Sequence, residues 1–223
     1  MITMVDELLK TRKADLRLGV VEYRDHPPQD RSFVFRSYPF TSNWKEAQKA
    51  INKLEANGGG DGPEAVLDGV LAACNELQWR AFARRLIVLV GDASPHGAGD
   101  RGDGFPKGCP CGETIESVTA AAEEARITLY AIGMYPTLEV SFGALSRATG
   151  GQFFVAGQQN EAITRLQAIL INEFGSLDFD ERVLAAWQQQ QTHSIEALVD
   201  TLASSRPAVS ASISRLGARG LLA

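Results

Sequence analysis

The sequence predicts an α/β fold: a three-layer, doubly wound, mostly parallel sheet, followed by a small all-α module. Three observations predict it. Helical patterns alternate with short β-rich runs from the start of the chain to about Phe174. One run, Leu86 to Val90, has no polar residue, as a strand buried on both faces requires. From Ser176 the strand-like runs stop and three helical patterns follow, so a domain boundary is expected near Gly175, giving domains 1–175 and 176–223.

The elements follow in order. Ile2, Val5, Leu8 and Leu9 form one stripe, which predicts a helix over 2–12. Leu16 to Tyr23 reads as a strand, and Phe33 to Phe40 alternates like an antiparallel strand with one wet face. Asn43 is placed to cap a helix through Lys53. Gly58-Gly59-Gly60 breaks the pattern, and Pro63 opens a helix from Glu64 to Leu77, since a first helical turn accepts proline. After the Leu86–Val90 strand comes a loop from Ala93 to Gly112, rich in glycine, proline and aspartate. Thr114 caps a helix to Arg126, with a reciprocal acid expected nearby. Thr128 to Met134 is a strand, Leu138 to Thr149 a helix stopped by Gly150-Gly151, Gln152 to Val155 a short strand and Asn160 to Phe174 a closing helix. The terminal helices are Asp180–Gln190, Ser194–Ala203 and Pro207–Arg219.

The composition narrows the function. The chain has 223 residues, 44% hydrophobic and 22% charged, enough to bury a core. A net charge of −5 gives no general attraction to nucleic acid or acidic membranes. No apolar run approaches the roughly 20 residues that span a bilayer. Three cysteines, an odd number, do not make a disulfide framework, which points to a reducing, cytoplasmic setting. No phosphate-binding, zinc-protease or nucleophile-elbow motif occurs, and His26, His96 and His193 lie in unrelated segments. The reading is therefore non-catalytic.

Two acids stand out. Asp92 ends the apolar strand, and Asp61 sits in the glycine-rich loop before the Pro63 helix. Ligands of open α/β sheets bind beyond the carboxyl ends of the strands, and both acids belong to that edge. Two carboxylates in one crevice suit a hard divalent cation. Asp92, on a rigid strand end, ranks above Asp61, which also fits the plain role of a helix cap. Ser94 and His96 follow Asp92 and are candidates to line the crevice for a partner. Cys109 and Cys111 form a C-x-C pair with no second pair at zinc spacing, so a packed loop stands beside metal or redox chemistry. Cys74, on an apolar helix face, reads as core.

The segments Gly58–Ala65 (GGGDGPEA), Leu86–His96 (LIVLVGDASPH), Thr128–Gly133 (TLYAIG) and Leu145–Phe153 (LSRATGGQF), with the Cys-Pro-Cys loop from Gly104 to Gly112, resemble the von Willebrand factor A domain over residues 1–175. The likeness is nearest to the bacterial and protozoan kind found beside alpha-kinase-like proteins. It implies a protein-interaction module that binds Mg²⁺ through three loops. Asp61 matches the second loop and Asp92 the third. The first, Asp-x-Ser-x-Ser, is absent, so the resemblance implies an incomplete N-terminus: a central strand and that motif would precede Met1. Only weak Mg²⁺ binding is then expected, with a partner protein at the top edge of the sheet. Without the central strand, the strands at 16–23 and 86–90 must either pair directly or leave a gap.

Ser204-Ser205-Arg206-Pro207, with the helices around it, resembles the helix-turn-helix of winged-helix regulators. Val209, Ile213 and Leu216 fall at core spacing, which would leave Ser205, Arg206, Ser210, Ser212 and Arg215 outward. Arg206, Ser210 and Arg215 are then the candidates for DNA contact. Against this, residues 176–223 carry four arginines and five acids, and DNA phosphates favour more cations. A DNA-binding regulator and a protein-docking or dimerising module both stand at this point.

Overall fold

The computed structural model describes residues 15–55, 59–190 and 194–222; the helix expected over 2–12 and His193 lie outside them. Strand β1 (Leu18–Tyr23) pairs antiparallel with β2 (Phe35–Thr41), Tyr23 opposite Phe35 and Val21 opposite Ser37. A second sheet is parallel, in the order β3 (Arg85–Gly91), β4 (Ile127–Gly133), β5 (Phe153–Val155). Leu86 faces Thr128 and Val90 faces Ile132 in the register, and Ala131 faces Phe153. The chain is thus mixed α/β with a parallel sheet, as its alternating patterns require. Among the described residues no ladder joins β1 to β3, so of the two alternatives the structure takes the gap.

The helices form where their caps and periodicities place them. Helix α1 (Trp44–Ile51) starts on Asn43, whose side chain accepts from the Lys45 amide at 3.1 Å. Helix α2 (Val66–Asn75) is nearly all buried. Its expected cap is corrected: the residue before it is Ala65, with no side-chain bond to the helix, and the Asp61 carboxylate accepts instead from the Gly104 amide. Helix α3 (Ile115–Glu124) begins with a capping box, but the reciprocating side chain is Ser117 rather than an acid. Thr114 Oγ1 accepts from the Ser117 amide at 3.1 Å, and Ser117 Oγ accepts from the Thr114 amide at 2.9 Å. A short 3₁₀ turn at Pro136–Glu139 leads into α4 (Ser141–Ala148), and Gly150 follows with φ of 77°, a value that suits glycine at a helix end.

The main core lies where α2, α3 and α4 meet the parallel sheet. Val66, Val70, Val118, Leu129, Ala131, Phe142 and Leu145 are its buried members. All seven residues of β4 are buried, as an interior parallel strand should be. The equally apolar β3 is only partly buried, and Val90 is 48% exposed, because among the described residues no strand pairs with its second edge.

Helix α5 (Gln159–Gln189) is one element of 31 residues where the sequence suggested two helices meeting near Gly175. Gly175 and Ser176 carry no proline and no competing cap, so the i to i−4 ladder passes through them at the modest cost of one helical glycine. The chain divides into two compact units, Met1–Trp79 with Arg85–Gln167, and Arg80–Arg84 with Ala168–Ala223. In the second unit, α6 (Ile195–Leu202) and α7 (Arg206–Ala218) close a small core with the end of α5. Val183, Leu198, Val209 and Leu216 are fully buried, with Leu184, Trp187, Ile195, Leu202 and Ile213 packed around them.

Candidate functional site

Three loops meet at the carboxyl end of the strands, stitched by main-chain bonds. The Ala65 amide donates to Arg24 O at 2.8 Å, just after β1, and the Glu64 amide donates to Ser94 O at 2.9 Å, just after β3. This places residues 24–26, 61–65 and 92–96 side by side.

Asp25 and His96 anchor the junction. His96 Nε2 lies 2.7 Å from Asp25 Oδ1, and Nδ1 lies 2.9 Å from Asp103 Oδ1. Neither imidazole nor the Asp25 carboxylate has solvent-exposed side-chain surface. Burial opposes the charged imidazolium, yet the two carboxylates outweigh it and raise the His96 pKa. Burial likewise pushes the Asp25 carboxyl up against the pull of His96. Asp103 in turn accepts from the amides of Gly97 and Phe105, each at 2.7 Å, which pins the long loop.

A group of carboxylates lies next to this pair. The ligating atoms of Asp25, Asp61 and His96 lie within 4.8 Å of one another. Glu64 is close enough that burial first, and then the charges of Asp25 and Asp61, push its pKa up to about 7. Asp25 Oδ2, Asp61 Oδ1 and Glu64 Oε2 are buried and have no hydrogen-bond partner. Asp92 is exposed at the rim, near enough to raise the pKa of the buried Tyr23 hydroxyl after desolvation has done so.

Of the residues expected here, the structure brings Asp61 and His96 together and leaves Asp92 at the edge of the group. His96 is 4% exposed with both ring nitrogens engaged, so it holds the loop and does not face a partner. Ser94 Oγ donates to Asp100. Sequence reasoning missed Asp25, Glu64 and Asp103. The signal was present: Asp25 lies two residues beyond the carboxyl end of β1, as Asp92 lies just beyond that of β3. His26, the next residue, turns the other way, toward Cys109, Cys111 and Asp68. Two histidines assigned to unrelated segments thus have ring centroids 6.2 Å apart.

In the helical unit the DNA candidates separate. Arg215 is not free to reach outward: Nη2 donates to buried Asp180 at 2.6 Å, and Nε contacts both Asp180 oxygens at 3.1 Å. Ser212, expected outside, is buried and donates to the same carboxylate at 2.6 Å. Arg206 is exposed and pairs with Glu196 at 2.7 Å, and Ser210 is half-buried. The helical phase was read correctly for the apolar stripe. Of the adjacent polar positions, Ser212 and Arg215 turn inward onto Asp180.

Residues 17–104 match the family model of the integrin beta chain VWA domain. Over 134 residues the chain is 26% identical to the alpha-protein kinase vwkA of Dictyostelium discoideum, covering 58% of this chain and 21% of that protein. Among solved structures it is similar to the conserved hypothetical protein BatB from Bacteroides thetaiotaomicron, at 14% identity and a TM-score of 0.46, over 78% of this chain and 88% of that one. It is also similar to an uncharacterized membrane spanning protein from Vibrio fischeri, at 19% identity and a TM-score of 0.31, over 77% and 83%. No helix among the described residues is long and apolar enough to cross a membrane. The family match and the amoebal relative together support a von Willebrand A-type domain in this chain.

Proposed function

We propose that the chain is a non-catalytic protein-interaction module whose docking edge carries a weak site for Mg²⁺. The observation that supports this is the trio of buried, unpartnered carboxylate oxygens on Asp25, Asp61 and Glu64. A buried acceptor without a partner costs on the order of 1–3 kcal/mol, and more when charged. A hard dication offsets that cost, because oxygen donors are what Mg²⁺ takes. Asp25 and Asp61, whose ligating atoms lie within 4.8 Å of each other, would hold the ion, with Glu64 beside them and Asp92 at the rim. The ranking of Asp92 over Asp61 is reversed here, since Asp61 Oδ1 is buried without a partner and gains more from a cation than the exposed Asp92. Mg²⁺ keeps several waters when protein ligands are few, which makes the site weak and leaves room for an acidic side chain of a partner. The cysteines are free thiols, which suits a reducing, cytoplasmic setting.

For the helical unit we favour protein docking over DNA, because Arg215 and Ser212 are committed to Asp180. The experiment for the module is thermal unfolding against Mg²⁺ concentration. Ligand that binds only the folded state raises Tm progressively. We expect such a rise in the wild type, its loss in Asp61→Asn and a smaller effect of Asp92→Ala. No Mg²⁺ dependence in the wild type would sink the cation site.

A further inference from the structure

We propose that His26, Asp68, Cys109 and Cys111 form a structural zinc site, separate from the oxygen-lined site beside it. The four come from three places: the turn after β1, the first turn of α2 and the long loop before α3. Their ligating atoms all lie within 4.8 Å of one another. His26 Nε2 is 3.1 Å from Asp68 Oδ2 and 3.0 Å from Cys109 Sγ. Cys109 Sγ is 3.0 Å from Asp68 Oδ2 and 2.7 Å from Cys111 Sγ, with both cysteines free. Four lone-pair donors from three separate segments thus lie within ligating reach of one ion.

The donor set names the metal class. Two sulfurs, an imidazole and one carboxylate oxygen suit a borderline-soft ion in tetrahedral coordination, whereas Mg²⁺ and Ca²⁺ take oxygen alone. Four protein ligands fill that coordination and leave no open position, which makes the site structural. Zn–S and Zn–N bonds of about 2.3 and 2.0–2.1 Å would spread the present contacts to roughly 3.3–3.8 Å, a shift of under about 1 Å for each side chain. Binding releases the two thiol protons to solvent, and the ion takes their place. His26, Asp68 and Cys109 are buried, and the Phe105 ring stands edge-on to His26 at 6.1 Å, so the ion would be shielded on all sides but that of Cys111. Such an ion ties the long loop to β1 and α2, and by fixing His26 it sets the adjacent Asp25 in its place against His96.

The test uses the full chain, purified without a polyhistidine tag or chelator. Elemental analysis should find about one zinc per chain. Replacing it with Co²⁺ should give a near-ultraviolet thiolate-to-cobalt charge-transfer band. Cys111→Ser, at an exposed position, should weaken that band. Asp61→Asn should keep it, which separates this site from the Mg²⁺ reading. Alkylation followed by mass spectrometry gives a second measure. Cys111 should be protected as isolated and should react once chelator is added, while Cys74, whose burial pushes its thiol up to about 11, stays unreactive in both. A folded wild type without zinc or a cobalt band would overturn the proposal. So would Cys111 alkylation that ignores the chelator, or a metal-free chain lighter by two hydrogens, the mark of a disulfide.

Discussion

At the scale of single residues, close approach decides more than polarity does. Gly69 sits in the middle of α2, where alanine would favour the helix by about 1 kcal/mol. A Cβ there would meet Cβ, Cγ and Cδ1 of Tyr23 at 2.7–2.9 Å. Tyr23 Cβ is one of the three, and no rotation of the side chain moves it away. Overpacking of this kind costs about 1–3 kcal/mol, so the clash outweighs the propensity. Gly69→Ala is expected to lower the urea midpoint; an unchanged or higher midpoint would mean that Tyr23 yields. The sequence showed a glycine inside a helical pattern. Only the packed structure shows the ring that requires it.

At the scale of elements, Asp180 organises the helical unit. It is fully buried on α5 and receives Ser212 and Arg215 from α7. A second ion pair, Arg84 Nε to Glu173 Oε2 at 2.8 Å, ties the 80–84 segment to the same helix, and Arg219 donates to Phe82 O at 2.9 Å. Removing one partner of a buried pair leaves an uncompensated charge and costs about 3–5 kcal/mol. Arg215→Ala should therefore destabilise this unit by that order, with partial recovery in Arg215→Ala/Asp180→Asn, measured by denaturant unfolding. If Arg215 served DNA instead, its loss would leave stability intact and weaken duplex binding. A gel shift with labelled duplex at low salt should show no binding by the wild type.

At the scale of the whole molecule, the described residues form two small sheets in place of one continuous sheet. Among the described residues no strand pairs with the second edge of β3, where Val90 is half-exposed and its carbonyl accepts from the Tyr23 hydroxyl. Such an edge is a template for pairing with another chain. The protein is expected to self-associate in light scattering, and Val90→Lys, a charge on that edge, should shift it toward monomer. A wild type that stays monomeric at high concentration would show that the edge is covered.

What the sequence by itself determined is what local periodicity and short-range chemistry carry. The alternation of strands and helices, the Asn43 and Thr114 caps, the apolar β3 and β4, and the core spacing of Val209, Ile213 and Leu216 are set by near neighbours in the chain, so they could be read in one dimension. Tertiary structure decided the rest, because the deciding partners are remote in the chain. Asp25 meets His96 across 71 positions, and Cys109 meets His26 across 83. Asp180 meets Arg215 across 35. Whether a carboxylate becomes a cap, an ion-pair partner or an orphaned ligand depends on which loop folds against it. No spacing rule within a single segment encodes that.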